Sequence, residues 1–199
     1  MSLARNLSKV SVDSSGFIQS SSLATVDGSV FSSKLPATAF PSGSVIQMVS
    51  TLYRSYNSVS LSTTWVDVPN MSLDITPRST SSRIKVEMRW FGETQVAWDC
   101  VFGITRNGTL INMPSVTTRN PAIGVPCQTY VSDDNNSTPE LCFMSTIDAP
   151  ATTSTLTYKM VARCNTTGRT LMTGRVFDSG VQQSNYEQGS CEIILTEYA

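Results

Sequence analysis

At 199 residues and 21.6 kDa the chain has the size of one medium domain, or of one domain with an extension. Its formal net charge is −1 and charged residues make up 15%, which excludes a general electrostatic attraction to nucleic acid. It has no histidine, and that excludes a Ser-His-Asp triad, a Cys-His pair and any histidine metal ligand. Serine and threonine, 30 and 24 residues, make the surface polar without making it charged.

Residues 1–40 hold no Trp, Tyr or Cys and only scattered apolar side chains, so they are expected to lack a core of their own. Leu3, Leu7 and Val10 fall at i, i+4 and i+7 behind Ser2, a good N-cap. The pattern predicts one helix of about two turns, marginal unless docked on something. The opening residues carry no apolar run of the signal-peptide kind, so export by a signal of its own is not expected. A repeat follows: Gly16-x-Ile18-x-Ser20-Ser21-x-Leu23, then Gly28-x-Val30-x-Ser32-Ser33-x-Leu35. Two readings stay open. One is an extended segment that packs Ile18, Leu23, Val30 and Leu35 on copies of itself or on a partner; the other is a flexible Ser-rich linker.

From Pro41 to Ala199 the pattern is strand after strand. Val45–Leu52, Thr64–Val68 and Met71–Thr76 come first. Ile84, Val86, Met88 and Trp90 then alternate with Lys85, Glu87 and Arg89, the period of a half-buried strand. Gly92 to Gln95 reads as a hairpin loop leading to a strand through Trp98, Cys100, Phe102 and Ile104. Asn107-Gly108 is the strongest hairpin signal, because a type I′ turn needs positive φ at both central residues. Leu141, Phe143, Ser145 and Ile147 share one face of the next strand. Leu156, Tyr158, Met160, Ala162 and Cys164 share a face of another, Asn165 to Gly168 turn it back toward Thr170–Val176, and Cys191, Ile193 and Leu195 close the chain. Eight to ten short strands without a long helix predict an all-β fold, a jelly-roll-like antiparallel β-sandwich preceded by an extended N-terminal arm.

The five cysteines, Cys100, Cys127, Cys142, Cys164 and Cys191, are odd in number and form no C-x-x-C, so buried free thiols are expected rather than a disulfide framework or a zinc site. Asp133, Asp134, Asn135 and Asn136 lack calcium-loop spacing and read as a solvated turn. No metal or cofactor is expected. The carboxylates Asp74, Glu87, Asp99, Glu140 and Glu192 are placed in turns or on outward faces, and no paired-carboxylate motif points to an enzyme. No window is long and apolar enough to insert into a membrane as a helix. Trp90 and Trp98 are expected in the core; Trp65 is ambiguous, a subunit-interface or ligand-stacking residue. The irregular stretches 112–127 and 177–189 carry Arg119, Asn120, Phe177, Asp178, Gln182, Gln183, Asn185 and Tyr186. This mixture of aromatics and amides suits sugar recognition by ring contact and hydroxyl hydrogen bonds; equally, such loops serve to cover sheet edges.

Ser2-Leu-Ala-Arg-Asn-Leu7, Pro41-Ser-Gly-Ser-Val-Ile-Gln47, Trp65-Val-Asp-Val-Pro69 and Ile75-Thr-Pro-Arg-Ser-Thr-Ser-Ser-Arg-Ile84 occur in that order. The succession resembles the small structural proteins of tailed bacteriophages, tail-fibre and receptor-binding proteins above all. The resemblance implies a homotrimer with a short N-terminal anchor and a β-sandwich knob exposed to a host-surface glycan or protein; the helix spacing of Leu3, Leu7 and Val10 makes these the candidate contacts to other virion proteins. It also implies a virion protein assembled in the host cytoplasm. Similar trimers act as capsid decoration, or cement, proteins, which is one alternative; a free carbohydrate-binding module is the other. The family is defined by architecture, so it transfers no binding residue.

Overall fold

Ile84, Val86, Met88 and Trp90 are all fully buried, while Lys85, Glu87 and Arg89 between them are only partly covered. This two-residue period sets the strand that organises a computed structural model of the chain, which describes residues 40–95, 99–115, 118–128, 138–177 and 186–199. The predicted arm, with Leu3, Leu7, Val10, Ile18, Leu23, Val30 and Leu35, lies outside the described residues, as does Trp98.

Eleven strands follow one another: β1 (Val45–Tyr53), β2 (Asn57–Leu61), β3 (Val66–Ile75), β4 (Arg83–Thr94), β5 (Cys100–Arg106), β6 (Thr109–Leu110), β7 (Cys127–Gln128), β8 (Glu140–Asp148), β9 (Leu156–Cys164), β10 (Arg169–Thr173) and β11 (Cys191–Tyr198). They form two antiparallel sheets, and there is no helix among the described residues. In the seven-stranded sheet β8 pairs with β4 along one edge, from Ile84 to Gly92. The other edge of β4 is divided. β11 takes Arg83 to Arg89 and β10 takes Gly92 to Thr94, with β1 beyond β11 and β2 beyond β10. The four-stranded sheet runs β3-β9-β5-β6.

One hydrophobic core joins the two sheets. Trp90 and Met144 from the first meet Phe102, Tyr158 and Met160 from the second. Trp90 and Phe102 are in ring contact at 5.0 Å and 48°, and the Trp90 indole N–H donates to the Thr173 hydroxyl at 3.0 Å. Each large side chain so buried contributes about 1.5–3 kcal/mol of transfer free energy, and the indole hydrogen bond removes the penalty of taking its N–H from water.

Several sequence readings change here. Gly92 to Gln95 is not a hairpin loop: β4 continues to Thr94, and β5 lies in the other sheet. Alternation identifies strands but not the sheet each belongs to. Met71–Thr76 and Thr64–Val68 are parts of one strand, β3, which stays continuous through Asn70 at φ 63° and a register shift between Asp67 and Ser72. Glu140, expected outward, is fully buried, its carboxylate accepting the Thr94 amide at 3.0 Å and the Thr94 hydroxyl at 2.7 Å. On β8 the face holding Leu141, Phe143 and Ile147 is the exposed one; Cys142 and Met144 enter the core. Asn107-Gly108 does turn β5 into β6, with φ of 49° and 82°.

A buried polar clamp ties the ends of the sheets together. Arg106 of β5 donates to both oxygens of Asp148 on β8, at 2.9 and 2.8 Å, and the Tyr158 hydroxyl of β9 donates to the same carboxylate at 2.7 Å. Burial, and then the bond to Asp148, hold the Tyr158 proton in place and push its pKa above the ordinary phenol value. The folded chain therefore keeps a proton that the unfolded chain releases at about pH 10. The contribution of Tyr158 is complete below that pH and is lost as pH rises above it. Asp148→Ala strands a guanidinium and a phenol, and is expected to cost about 2–4 kcal/mol in urea unfolding at neutral pH. Tyr158→Phe is expected to cost about 1 kcal/mol and to flatten the alkaline fall in stability.

None of the five cysteines is in a disulfide; Cys100, Cys142, Cys164 and Cys191 are buried, and Cys127 on β7 is exposed. Burial pushes the Cys142 thiol up to about 12, helped by the charge of Cys127, and burial also raises Cys100 and Cys191. A thiol held protonated and out of water does not react. Titration of the native protein with a chromogenic disulfide at mildly alkaline pH should therefore show one fast thiol, absent in Cys127→Ser, and all five after denaturation.

Candidate binding site

The sequence picks out two loops, and they are held by different sheets. Asn120 is anchored on the four-stranded sheet. Its amide accepts a hydrogen bond from Arg163 Nη2 and donates to the Asp99 carbonyl at 3.4 Å. Arg163 lies near the end of β9, with its guanidinium 4.9 Å above the Trp65 ring. Trp65 lies just before β3 and rests on Gly103 of β5, where an added Cβ would stand 3.3 Å from two ring atoms and 3.1 Å from Leu110. A side chain at 103 would crowd the indole and Leu110, which would have to give by a few tenths of an ångström. The glycine therefore seats the aromatic ring.

This cluster is half-covered rather than sealed. Trp65, Asn120 and Arg163 are partly buried and Arg119 is exposed beside them. Arg163 Nε is itself buried and finds no hydrogen-bond partner among the described residues. The guanidinium plane stacked on Trp65 and the Asn120 amide beside it offer fixed hydrogen-bond donors for a neutral, hydroxyl-rich ligand. The sequence signals Trp65 and Asn120 separately. It carries no signal for Arg163 or Gly103, whose relation to Trp65 exists only through the pairing of β5 with β9 and β9 with β3.

Phe177 sits on the seven-stranded sheet instead. Its amide donates to Glu93 at 2.5 Å, and Glu93 also accepts the Thr138 amide at 3.3 Å and the Thr138 hydroxyl. Val176 and Gly189 bond to Glu187 and Gly174, forming a short ladder that carries Phe177 and Tyr186 at its end. Next to it the Arg175 guanidinium stacks 4.0 Å above Tyr56, whose side chain is largely exposed. The sequence marks neither Tyr56 nor Arg175. Asp178, Gln182, Gln183 and Asn185 lie outside the described residues.

Among the described residues no group of three or more Cys, Asp or Glu side chains is arranged to hold a metal ion. No helix among them is long and apolar enough to cross a membrane. Neither the known family models nor the curated proteins include a match to this chain.

Arg163→Ala removes the cation above Trp65. It is expected to cost about 0.5–1 kcal/mol and to raise acrylamide quenching of the tryptophan fluorescence, while Trp90 stays shielded. Unchanged quenching in that variant would show that the stack does not persist in solution.

Proposed function

We propose that the chain is a non-enzymatic structural protein of a tailed-bacteriophage virion, a trimeric tail fibre or receptor-binding protein. In this reading residues 1–40 attach it to other virion proteins, and the β region faces the host surface, presenting the Trp65–Arg163–Asn120 cluster and the Phe177–Tyr186 ladder.

The order of strand pairing carries the reading. β1 pairs with β11, β3 with β9, β4 with β8, and β5 with β6. These pairs are nested, outermost with outermost, as in one long hairpin wrapped upon itself. The connections β1 to β3, β4 to β5, β6 to β8 and β9 to β11 each pass from one sheet to the other. Such wrapping supports a jelly-roll sandwich, an architecture recurrent in viral shell proteins and lectins. The order of segments from Ser2 to Ile84 supports the phage assignment. The buried carboxylates support a non-enzymatic role, because each is used inside the fold: Asp148 in the clamp, Glu140 on Thr94, Glu93 on Thr138 and Phe177, and Glu197 on Gln47 and the Arg78 amide.

Deleting residues 2–12 from the phage-encoded protein tests the anchor. The expected product is a folded trimer by ultracentrifugation that no longer enters particles. Normal incorporation would overturn the anchoring role. In intact particles Asn120→Ala combined with Arg119→Ala is expected to lower adsorption to host cells without changing copy number. A copy number matching the head shell rather than the tail would move the protein to the decoration class, and a monomer that binds glycan would make it a free carbohydrate-binding module.

A further inference from the structure

We propose that copies of this chain associate through the outer face of the seven-stranded sheet, with the β1 margin of one copy seated on the β8 margin of the next. The proposal rests on the homo-oligomeric reading above and assigns its surface.

The outer face has apolar side chains at both margins. On β1, Met48 is 64% exposed and Leu52 42%; on β8, Phe143 is 64% exposed and Ile147 48%. Isolated apolar side chains on a surface are ordinary, but matched rows of them at the two edges of one sheet mark an interaction surface. The register places them in rows. Met48, Thr196, Lys85 and Ile147 form one row, and Leu52, Glu192, Arg89 and Phe143 form another. The row between them is Ser50, Ile194, Glu87 and Ser145. Both apolar-ended rows therefore have an apolar residue at each margin, and the middle row has a serine at each.

The centre of the face is charged but neutral as a whole. Lys85 pairs with Glu87 at 2.8 Å and Arg89 with Glu192 at 3.8 Å. A strongly charged partner finds no net attraction there. A second copy fits, and the charges select its orientation. Turning a copy about an axis along the strands keeps each row at its own height and exchanges the margins. Met48 then meets Ile147 of its neighbour, Leu52 meets Phe143, Ser50 meets Ser145, and Arg89 stands at the height of the neighbouring Glu192. An axis across the strands reverses the rows, bringing Lys85 onto Arg89 and Glu87 onto Glu87. Like charges in contact disfavour that alternative. Closed rings of two or three copies about the first axis use the same contact between margins.

The test is equilibrium ultracentrifugation of the full chain as wild type, Leu52→Lys, Phe143→Glu and the double variant, with circular dichroism to check folding. Both substitutions fall on exposed positions. Wild type is expected to be oligomeric. Each single variant places one charge against an apolar neighbour, and should weaken association on the order of a hundredfold. The double variant sets an ammonium at position 52 opposite a carboxylate at position 143 of the next copy and should recover most of that loss. A monomeric wild type overturns the proposal, as do assembled single variants or a double variant as dissociated as the singles. A trimer indifferent to all variants keeps the trimeric reading and rejects this surface. A dimer that follows the variant pattern keeps the surface and rejects the trimer.

Discussion

The structure depends on one strand satisfying different neighbours along a single edge. β4 pairs with β11 as far as Arg89 and with β10 from Gly92, so the sheet changes partner across Trp90 and Phe91. Backbone groups at such a junction lose regular ladder bonds, and buried groups left unpaired would cost more than most single contacts return. Here the junction is mended by the Cys191 thiol and the Gly174 amide. The Phe91 amide reaches Cys191 Sγ at 3.3 Å, and its carbonyl accepts the Gly174 amide at 2.8 Å and the Cys191 thiol at 3.4 Å. Gly92 lets β10 come in: an added Cβ would stand 1.9 Å from the Met172 carbonyl oxygen and 2.5 Å from Trp90. Close backbone approach is what that glycine provides. Trp90 fills the space beneath the junction and bonds to Thr173 on the incoming strand, so the switch in partner and the core contact are one event.

The same economy explains the buried acids. Glu93, Glu140 and Asp148 stand at the ends of β4 and β8, and Glu197 near the end of β11, where ladders stop and amides need acceptors. A carboxylate carries more acceptor sites than an amide and can serve a backbone N–H and a hydroxyl together. Glu140 does this for Thr94, and Glu93 for Thr138 as well as Phe177. Alternation along the strands places these two acids on opposite faces of the sheet, since Glu140 lies on the side of Cys142 and Glu93 on the side of Phe91. They are therefore two separate anchors for loop departures, and the chemistry of a facing carboxylate pair does not arise.

Much of the fold is legible in the sequence where one face is apolar and the other is not. β4 is the clearest case, with β9 and the Asn107-Gly108 turn beside it. Legibility fails where both faces are apolar. On β8 Leu141, Phe143 and Ile147 compete with Cys142 and Met144, and period alone does not tell which set is inside. It fails again where the decisive relation is between distant residues. Glu140 looks like a surface acid because Thr94, its partner, lies 46 residues earlier. Arg163 looks like an outward strand residue because Trp65 comes into reach only through strand pairing. The sequence singles out Arg119 and Asn120 in an irregular stretch, and the structure adds the Arg163 guanidinium and the Trp65 ring that give the amide its direction.

The two outer faces consequently differ in kind. The four-stranded sheet covers part of its own outer side: Trp65 lies on Gly103, the Arg163 guanidinium lies over Trp65, and Val101, Thr105 and Val161 are buried there although they alternate with core residues. The seven-stranded sheet leaves its apolar margins open while pairing its charges internally. A chain with few charges has little surface repulsion to overcome when identical faces meet, but it also has little electrostatic means of refusing a wrong orientation. Placing four of its charges in the centre of the open face supplies that refusal at the one location where it matters. The apolar margins provide attraction in either orientation, and the alternating charges between them leave one orientation allowed.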